Sequence, residues 1–472
     1  MTQQSRVVVI GGGFAGLKAA VSLADAALQV TVLESRVGLG GRARSFQDPV
    51  TGEVVDNGQH LFLTAYRETL EFLNRLGTQE SLVFQDRLRV DFVQPGGGTF
   101  RLSCPAIPSP WHLLVGMARL PSLSLRDKLG LLRIFQVVTG HETKAGTGRS
   151  EAGSGPELVE GPVPASDLVL DQQTVEEWLT RMGQSQRSRT TFWDPLTVAT
   201  LNELPSRASV LGLVTVLRTM LRRPWRDSCL GVSSVGLTDL YAASAQKILL
   251  EKGGQVMVNS PAAGLELRGD RVTGVRLVNG TILSADWVIS AVGPQALVRI
   301  LPQALRSADP SLQALDRFQT SPILSVNLWL DRPVTEALFI GLIGTRMQWL
   351  FNKPAIPRQA GITANYLSLI VSAAHDLLGE SNERLVEMAM EDLRACFPTA
   401  AAAAIIRSQV VRERDATVSL TVGTNGWRPG QRTRIPNLFL AGDWTATGLP
   451  ATIESAVLSG RLCAEALLKG LA

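Results

Sequence analysis

The sequence predicts an α/β protein in which a parallel, doubly wound sheet is interleaved with a second, α+β region. Three observations support this fold class: a β-branched run followed by glycines near residue 10, alternating apolar and polar residues after residue 254, and an apolar strand ending in small residues near residue 440. Buried parallel strands need such apolar, β-branched runs. Since the three segments lie far apart in the chain, the sheet is expected to be built from distant parts of it.

The first unit has the order strand, turn, helix, strand. Arg6–Ile10 is an apolar run, and residues 11–16 follow it as G-x-G-x-x-G. Residues 17–27 carry apolar side chains at helical spacing, and a second strand, 29–33, ends at Glu34. This complete context, rather than the glycines alone, indicates a Rossmann-type unit that binds a dinucleotide.

Each residue of this unit has a physical role. Gly11 permits the tight turn, Gly13 lets a pyrophosphate approach the backbone, and Gly16 lets helix and strand pack closely. Free N–H groups at the start of the helix bind the phosphates, and Glu34 accepts hydrogen bonds from the ribose. An acid at that place favours FAD or NAD over NADP. The predicted contacts also include Phe14, Ala15 and Ser35.

A second glycine turn, Gly40-Gly41-Arg42, follows Glu34 after a short loop. Here the sequence resembles the FAD-dependent amine oxidase and carotenoid desaturase superfamily, whose first unit continues into a G-G-R turn at the flavin pyrophosphate. A plain NAD domain has no need of that turn. The resemblance implies bound FAD, with Gly41 and Arg42 among its contacts.

The C-terminal region agrees with this resemblance. Residues 437–443 form a predicted strand closed by Ala-Gly-Asp, and a predicted helix reaches about residue 468. The resemblance places Gly442 and Asp443 at the pyrophosphate and ribityl chain. It directs the helix N-terminus at the flavin pyrimidine, where a helix dipole stabilises negative charge. The residues expected there are Ala451, Thr452 and Ile453.

The β region after residue 254 resembles the superfamily segment that lies beside the adenine. Its predicted strands cover 254–267, 272–277, 281–283 and 285–291. The expected adenine contact is the main chain near Ala262.

Narrower motifs indicate the member of the superfamily. Residues 56–60 read DNGQH, residues 192–205 read FWDPLTVATLNELP, and residues 441–461 begin AGDWTATGLPATIE. These motifs, with GLGGRARSF at 38–46, resemble the squalene-associated flavoenzymes, the hydroxysqualene dehydroxylases. The resemblance covers nearly the whole chain and places Gly58, Gln59 and His60 beside the flavin.

The flavin-binding segments divide the chain into two interleaved domains. Residues 1–77, 225–300 and 406–472 are predicted to form the FAD-binding domain, and 78–224 and 301–405 the substrate- and membrane-facing domain. Residues 140–167, rich in Gly, Ser, Pro and Glu, depart from the family pattern. Their composition predicts a flexible surface insertion rather than a lid.

Two stretches of the second domain suit a long apolar substrate. Residues 104–138 combine Trp111 and several basic residues with a single acid, Asp127, and residues 209–225 are similar. Each is either a core helix or an amphipathic surface that lies in a membrane interface. No stretch approaches the ~18 apolar residues of a span, while the mean hydropathy of +0.13 is high for an enzyme. The expectation is a cytoplasmic protein, peripheral on the inner face of the cell membrane.

By resemblance, the reaction replaces the allylic hydroxyl of hydroxysqualene, a C30 isoprenoid alcohol, with hydride from reduced FAD to give squalene. Departure of the hydroxyl requires an acid. The candidates are His60, at the flavin, and Asp194, in FWDPL; Asp56 is expected to be structural. Isoprenoid synthases are possible partners.

Three other functions stay open from the sequence. A carotenoid desaturase would need no acid near a hydroxyl. An amine oxidase is disfavoured because its aromatic site residues are hard to supply from 3 tyrosines. A non-catalytic flavoprotein could hold isoprenoid for a synthase.

Composition excludes other classes. A net charge of +4 over 472 residues is too small to predict nucleic-acid binding. The 4 cysteines lie far apart and the histidines number only 4. This favours a reducing compartment and predicts neither a disulfide framework nor a metal site.

Overall fold

A computed structural model describes residues 5–140, 165–221, 224–357 and 365–471. Most of the predicted insertion, residues 141–164, therefore lies outside the described residues. On its two sides, Gly140 follows the helix Leu125–Thr139, and the helix Ala165–Asp171 resumes the chain.

A five-stranded parallel sheet forms the centre of the first layer. In spatial order its strands are Gln255–Met257, Gln29–Leu33, Arg6–Ile10, Trp287–Ser290 and Leu438–Leu440. All neighbouring pairs are parallel. The sheet combines the three distant segments, and the predicted α/β fold class is confirmed.

Helices and a small sheet cover this parallel sheet. The helix Phe14–Asp25 begins directly after the glycine turn, three residues earlier than predicted, because the glycines themselves form its start. It packs closely against the C-terminal helix Ile453–Leu471: a Cβ at Gly460 would lie 2.4 Å from the Ala15 carbonyl oxygen. An antiparallel sheet covers the other face with the strands Ala262–Arg268, Arg271–Leu277 and Ile282–Ser284.

A seven-stranded mixed sheet forms the second region. Its strands, in spatial order, are Ile405–Val418, Thr320–Leu330, Asn365–Ser372, Trp349–Asn352, Phe339–Leu342, Arg89–Val93 and Thr99–Ser103. The strand Ile405–Val418 thus pairs with Thr320–Leu330, although the predicted division assigns residues from 406 onward to the FAD-binding domain. The sheet draws on both sides of the predicted boundary at 406.

A helical layer packs beside the seven-stranded sheet, around the buried Trp178 and Trp193. The helix Val210–Leu221 presents most of its apolar residues to this core, which favours the core interpretation of the stretch 209–225. The longer helices of the layer are Trp111–Ala118, Leu125–Thr139, Val175–Arg181, Asp194–Leu201 and Val210–Leu221.

Shorter elements connect these layers. Two small sheets pair Ser45–Gln47 with Val54–Asp56, and Leu230–Ser233 with Phe62–Leu63 and Leu82–Phe84. Among the described residues, no helix is long and apolar enough to cross a bilayer. The remaining α-helices are Arg67–Leu76, Gln186–Ser188, Ala243–Glu251, Pro294–Ile300, Gln303–Ala308, Pro310–Gln313 and Asn382–Cys396.

Asn437 joins the parallel sheet to the antiparallel one. Its buried side-chain amide donates to the carbonyls of Val272 (2.6 Å) and Asp286 (2.8 Å) and accepts from the Val272 N–H (3.0 Å). The side chain thus satisfies main-chain groups of the antiparallel sheet and of the residue that precedes the parallel strand Trp287–Ser290.

We predict that Asn437→Ala lowers the free energy of unfolding by about 2–4 kcal/mol, because buried main-chain groups left unpaired each cost ~1–3 kcal/mol. Urea unfolding followed by circular dichroism measures the change. Asn74→Ala, at an exposed position of the helix Arg67–Leu76, is the control. Equal unfolding curves for the two variants would contradict the structural role of Asn437.

Candidate active site

A cavity of about 670 Å³ extends from the glycine turns of the parallel sheet to the helical layer. One part of its wall is main chain and polar side chains, and the other part is apolar. The polar part contains Gly11, Gly13, Phe14, Ala15, Glu34, Ser35, Gly41, Arg42, Gly58, Gln59, His60, Gly442, Asp443, Ala451, Thr452 and Ile453. The structure therefore brings sixteen of the predicted site residues to one cavity.

The two glycine turns lie against each other with no room for side chains. A Cβ at Gly16 would lie 1.9 Å from the Gly11 carbonyl oxygen, and one at Gly41 would lie 3.1 Å from the Gly13 Cα. Gly41 also has a φ of +55°, which favours glycine. Gly16 does not line the cavity; it stands beneath the turn, in the packing role that the sequence predicts.

Glu34 is buried at the end of the second strand. Its carboxylate accepts hydrogen bonds from the Gly12 N–H (3.0 Å), the Arg36 N–H (2.9 Å) and the Ser35 hydroxyl (3.2 Å). The contact with Gly12 ties the strand end to the glycine turn. The motif alone does not predict it, because Gly12 is one of the variable positions of G-x-G-x-x-G.

Arg42 and Asp443 meet across the cavity wall. The Arg42 guanidinium donates to Asp443 Oδ1 at 2.6 Å, so the second glycine turn and the C-terminal strand end are joined by an ion pair. Arg428, which sequence reasoning missed, is buried behind them. It donates to the carbonyls of Asp443 (2.8 Å) and Leu449 (2.7 Å), and burial lowers its pKa to about 10. Arg428 thus supports the loop that carries Asp443.

Tyr241 is a second residue that the sequence did not reveal. Its hydroxyl donates to the Gly40 carbonyl (2.5 Å) and lies 3.2 Å from the Ala43 carbonyl, and its ring stacks on Phe14 with centroids 3.5 Å apart. One side chain therefore holds both glycine turns. No local pattern could have identified it, because it lies about 200 residues away from the turns in the chain.

The start of the C-terminal helix faces the cavity through Ile453. The next residue, Glu454, accepts from the Thr69 hydroxyl (2.7 Å), the Thr69 N–H (2.9 Å) and the Glu68 N–H (3.0 Å). It thereby caps the helix Arg67–Leu76. Burial raises the pKa of this carboxyl to about 7, although the hydrogen bonds from Thr69 oppose the shift. This contact joins the C-terminal helix to the helix Arg67–Leu76, and the sequence did not predict it.

The turn at residues 56–60 lines the cavity through its last four residues. Asp56 is buried and accepts from the Gln59 amide (2.7 Å), the Leu237 N–H (3.0 Å) and the Lys353 ammonium (3.0 Å). This network agrees with the structural role expected for Asp56. Burial lowers the pKa of His60 below its ordinary value; the Asp56 carboxylate opposes the shift and Arg42 adds to it. His60 is therefore mostly a neutral imidazole at pH 7.

Asp194 does not line the cavity, although its neighbours Trp193 and Pro195 do. Burial raises the pKa of its carboxyl, which lies among the charges of Arg189 and Glu176. Ala262, predicted beside the adenine, begins an antiparallel strand and is also outside the cavity wall. The roles suggested for these two residues stay predictions.

Neither a metal centre nor a reactive thiol is supported by the described part of the chain. No group of three or more His, Cys, Asp or Glu side chains is placed there to hold a metal ion. The four cysteines are buried and free, and burial raises the pKa of Cys104 to about 12 and of Cys396 to about 11. These thiols are therefore protonated at neutral pH.

Comparison with known proteins identifies the family and the cofactor. The sequence matches the family described as flavin containing amine oxidoreductase over residues 14–468. The chain belongs to this family. It is an FAD-dependent oxidoreductase, and the predicted cofactor is confirmed. The residues present fit the group, because the side-chain-free glycine turns leave main chain for phosphates and Glu34 supplies a carboxylate for a ribose.

Individual relatives agree with the predicted resemblance. A hydroxysqualene dehydroxylase of Rhodopseudomonas palustris is 30% identical over 98% of both chains. A 15-cis-phytoene desaturase of Synechococcus elongatus is 27% identical over 98% of this chain and 96% of its own. A crystal structure of an oxidoreductase from Methanosarcina mazei has a TM-score of 0.72 at 17% identity, covering 98% of this chain and all of that one. This last likeness shows the shared fold.

We predict that Glu34→Ala weakens FAD binding at least tenfold, because leaving a charge-assisted hydrogen bond unmade costs ~1.5–3 kcal/mol. Titration of the apoprotein with FAD, followed by flavin fluorescence, measures the dissociation constant. Flavin released into the supernatant by acid precipitation measures the content of the purified holoprotein. Glu71→Ala, on an exposed helical face, should bind like the parent; a Glu34→Ala protein with parental affinity would refute the assignment.

Proposed function

We propose that the protein reductively removes the allylic hydroxyl of hydroxysqualene, giving squalene. The observation that carries this proposal is the single cavity, in which the FAD cradle is continuous with a long apolar wall. The relatives named hydroxysqualene dehydroxylase support the same substrate class. A C30 isoprenoid alcohol has one polar group on a long hydrocarbon, which matches a cavity that is polar at one end.

The apolar part of the wall is built by three helices and by strands of the seven-stranded sheet. The helices Trp111–Ala118, Leu125–Thr139 and Val210–Leu221 contribute mostly aliphatic side chains, and the sheet contributes both aromatic and aliphatic ones. The residues of the apolar wall include Leu88, Val90, Phe92, Leu102, Leu113, Leu114, Met117, Leu131, Ile134, Phe135, Phe192, Trp193, Val216, Leu217, Trp349 and Phe351. Burial of isoprenoid against this wall supplies binding free energy and excludes water.

The reaction balances as R–OH plus a proton plus a hydride, giving R–H and water. When bound, reduced FAD supplies the hydride. The protein must supply the proton at the hydroxyl oxygen, and His60 is the cavity-lining residue best suited to donate it. A lowered pKa makes its imidazolium a stronger acid while reducing the charged fraction at pH 7.

The allylic carbon becomes electron-poor as the carbon–oxygen bond breaks, so its surroundings must lack competing nucleophiles. Leu61, next to His60, packs against a buried cluster that contains Phe339 and Phe351, and Trp349 packs against the same cluster. Aromatic faces stabilise positive charge without attacking it. The wall beside His60 therefore combines a proton donor with non-nucleophilic side chains.

A carotenoid-type desaturation is the second candidate, supported by the phytoene desaturase among the relatives. That reaction removes hydride from an alkyl chain and needs no proton at a hydroxyl. Product analysis separates the two: reduced protein with hydroxysqualene yields squalene under the proposal, whereas oxidised protein with phytoene yields a desaturated carotenoid under the alternative.

We predict that His60→Ala slows conversion of hydroxysqualene by about 10²–10⁴-fold, the usual range for loss of a general acid, while FAD content is unchanged. The parental rate should rise as the pH falls toward the His60 pKa, since the protonated imidazole is the active form. Single-turnover assays with chemically reduced protein measure both effects.

Asp194→Asn is the matched comparison, because Asn keeps the shape of the side chain but cannot donate a carboxyl proton. It should retain near-parental turnover. An inactive, flavin-loaded Asp194→Asn protein beside an active His60→Ala protein would transfer the role to Asp194 and refute the proposal for His60.

We also propose that the segment 104–138 binds the membrane surface from which the substrate is drawn. Its two helices carry apolar residues on two faces. Leu113 and Met117 face the cavity, while other apolar residues face outward. Exposed on the outside are Trp111 (59%), Leu125 (77%), Leu129 (61%) and Leu132 (55%). Basic residues with exposed or half-buried side chains accompany them, namely Arg119, Arg126, Lys128 and Arg133.

We predict that the protein floats with vesicles containing anionic lipid, and that binding weakens with salt because cationic side chains meet the head groups. Replacing Trp111 and Leu129 together by Glu should abolish most of this binding. Replacing the similarly exposed Val278 and Ile282 by Glu, at the hairpin between the strands Arg271–Leu277 and Ile282–Ser284, should not. Equal flotation of the two double variants would show that another surface binds the membrane.

A further inference from the structure

Lys353 forms a buried ion pair that the function described so far does not explain. Its side chain is 1% exposed and its ammonium lies 3.0 Å from Asp56 Oδ2. Lys353 follows the strand Trp349–Asn352, and Asp56 ends the strand Val54–Asp56, 297 residues away. The pair connects the seven-stranded sheet to the turn at residues 56–60.

A buried ion pair is a poor device for stability alone. Removing two charges from water is costly, and well-packed apolar residues of similar volume often serve stability equally well. Here the paired carboxylate also accepts from the Gln59 amide (2.7 Å) and the Leu237 N–H (3.0 Å). The ion pair therefore fixes the turn at residues 56–60, whose last residue, His60, faces the cavity.

The charges acting on His60 come from two elements. On its own turn, the Asp56 carboxylate favours the imidazolium; from the second glycine turn, Arg42 disfavours it. Arg42 is itself paired with Asp443 and interacts with Glu413 on the strand Ile405–Val418. Lys353 is the cation bonded directly to Asp56, so it limits how strongly that carboxylate attracts a proton to His60.

We propose that Lys353 is a positioning residue: by pairing with Asp56 it holds Gln59 and His60 at the cavity and limits how strongly the Asp56 carboxylate acts on the His60 imidazole. The inference deepens the proposed function, since it rests on His60 as the proton donor. Its test uses the titration of His60 itself, without substrate, so that it can fail independently of the reaction.

The experiment is an NMR titration of the oxidised holoenzyme labelled in histidine. The chain contains 4 histidines, and the His60→Asn variant identifies the resonance of His60. Lys353→Met should raise the pKa of His60 by about one pH unit, because the Asp56 charge is no longer compensated; Asp56→Asn should lower it by a similar amount. Lys353→Arg, which keeps the cation, should shift it by less than half of that.

Opposite shifts in the two neutralising variants support the proposal, because a purely structural pair would lower stability in both without a change of sign. Shifts of the same sign, or an unchanged titration in both, overturn it. If Lys353→Met does not fold, the double variant Asp56→Asn/Lys353→Met removes the unpaired charge. Its His60 pKa should lie below the parental one, and equality with the parent overturns the proposal.

Discussion

The close approach of two glycine turns is the constraint on which the rest of the structure depends. Gly11 and Gly16 leave no space for a Cβ beneath the first turn, and Gly41 lies against Gly13 from the second. Only main chain can occupy this place, so N–H groups rather than side chains face the cavity. Tyr241 bridges the two turns and Arg42 extends from the second to Asp443. The parallel sheet, assembled from distant segments, gives these contacts their fixed geometry.

The cavity joins two environments that favour different chemistry. At the cradle, charges are paired or capped: Glu34 accepts main-chain N–H groups, Asp443 pairs with Arg42, and Glu454 caps a helix. At the other end, helices and sheet supply hydrocarbon and aromatic rings. His60 lies where the two meet, flanked by Gln59 and Leu61. Under the proposed function, the hydroxyl of the isoprenoid would meet polar lining residues such as Gln59 and His60, and its hydrocarbon would meet the apolar ones.

Much of the candidate cofactor site was predictable because its geometry is set by residues close together in the sequence. The strand, glycine turn, helix and Glu34 follow one another within about thirty residues, and each requires a particular residue type where it stands. The sequence also indicated the turn at 56–60 and the start of the C-terminal helix. Arg428 and Lys353 were not predictable, because a buried cation looks like any surface cation in a sequence; only the partner contributed by another segment distinguishes them. For the same reason, the sequence suggests Asp194 as a candidate acid but does not show that Asp194 lies outside the cavity wall.

The sequence by itself determined the fold class and the dinucleotide-binding unit, because glycine spacing, β-branched runs and an acidic strand end encode short-range geometry. Resemblance in longer motifs, such as residues 56–60 and 441–454, indicated FAD and the family. It also showed that residues 104–138 are apolar and basic, but it left both a core helix and a membrane surface open. Tertiary structure decided which side chains of that segment face the cavity and which face outward. It also decided that Ile405–Val418 joins the seven-stranded sheet and that Lys353 meets Asp56. Such contacts depend on how distant segments pack, and the free energy of packing is a property of the assembled chain rather than of any stretch of it.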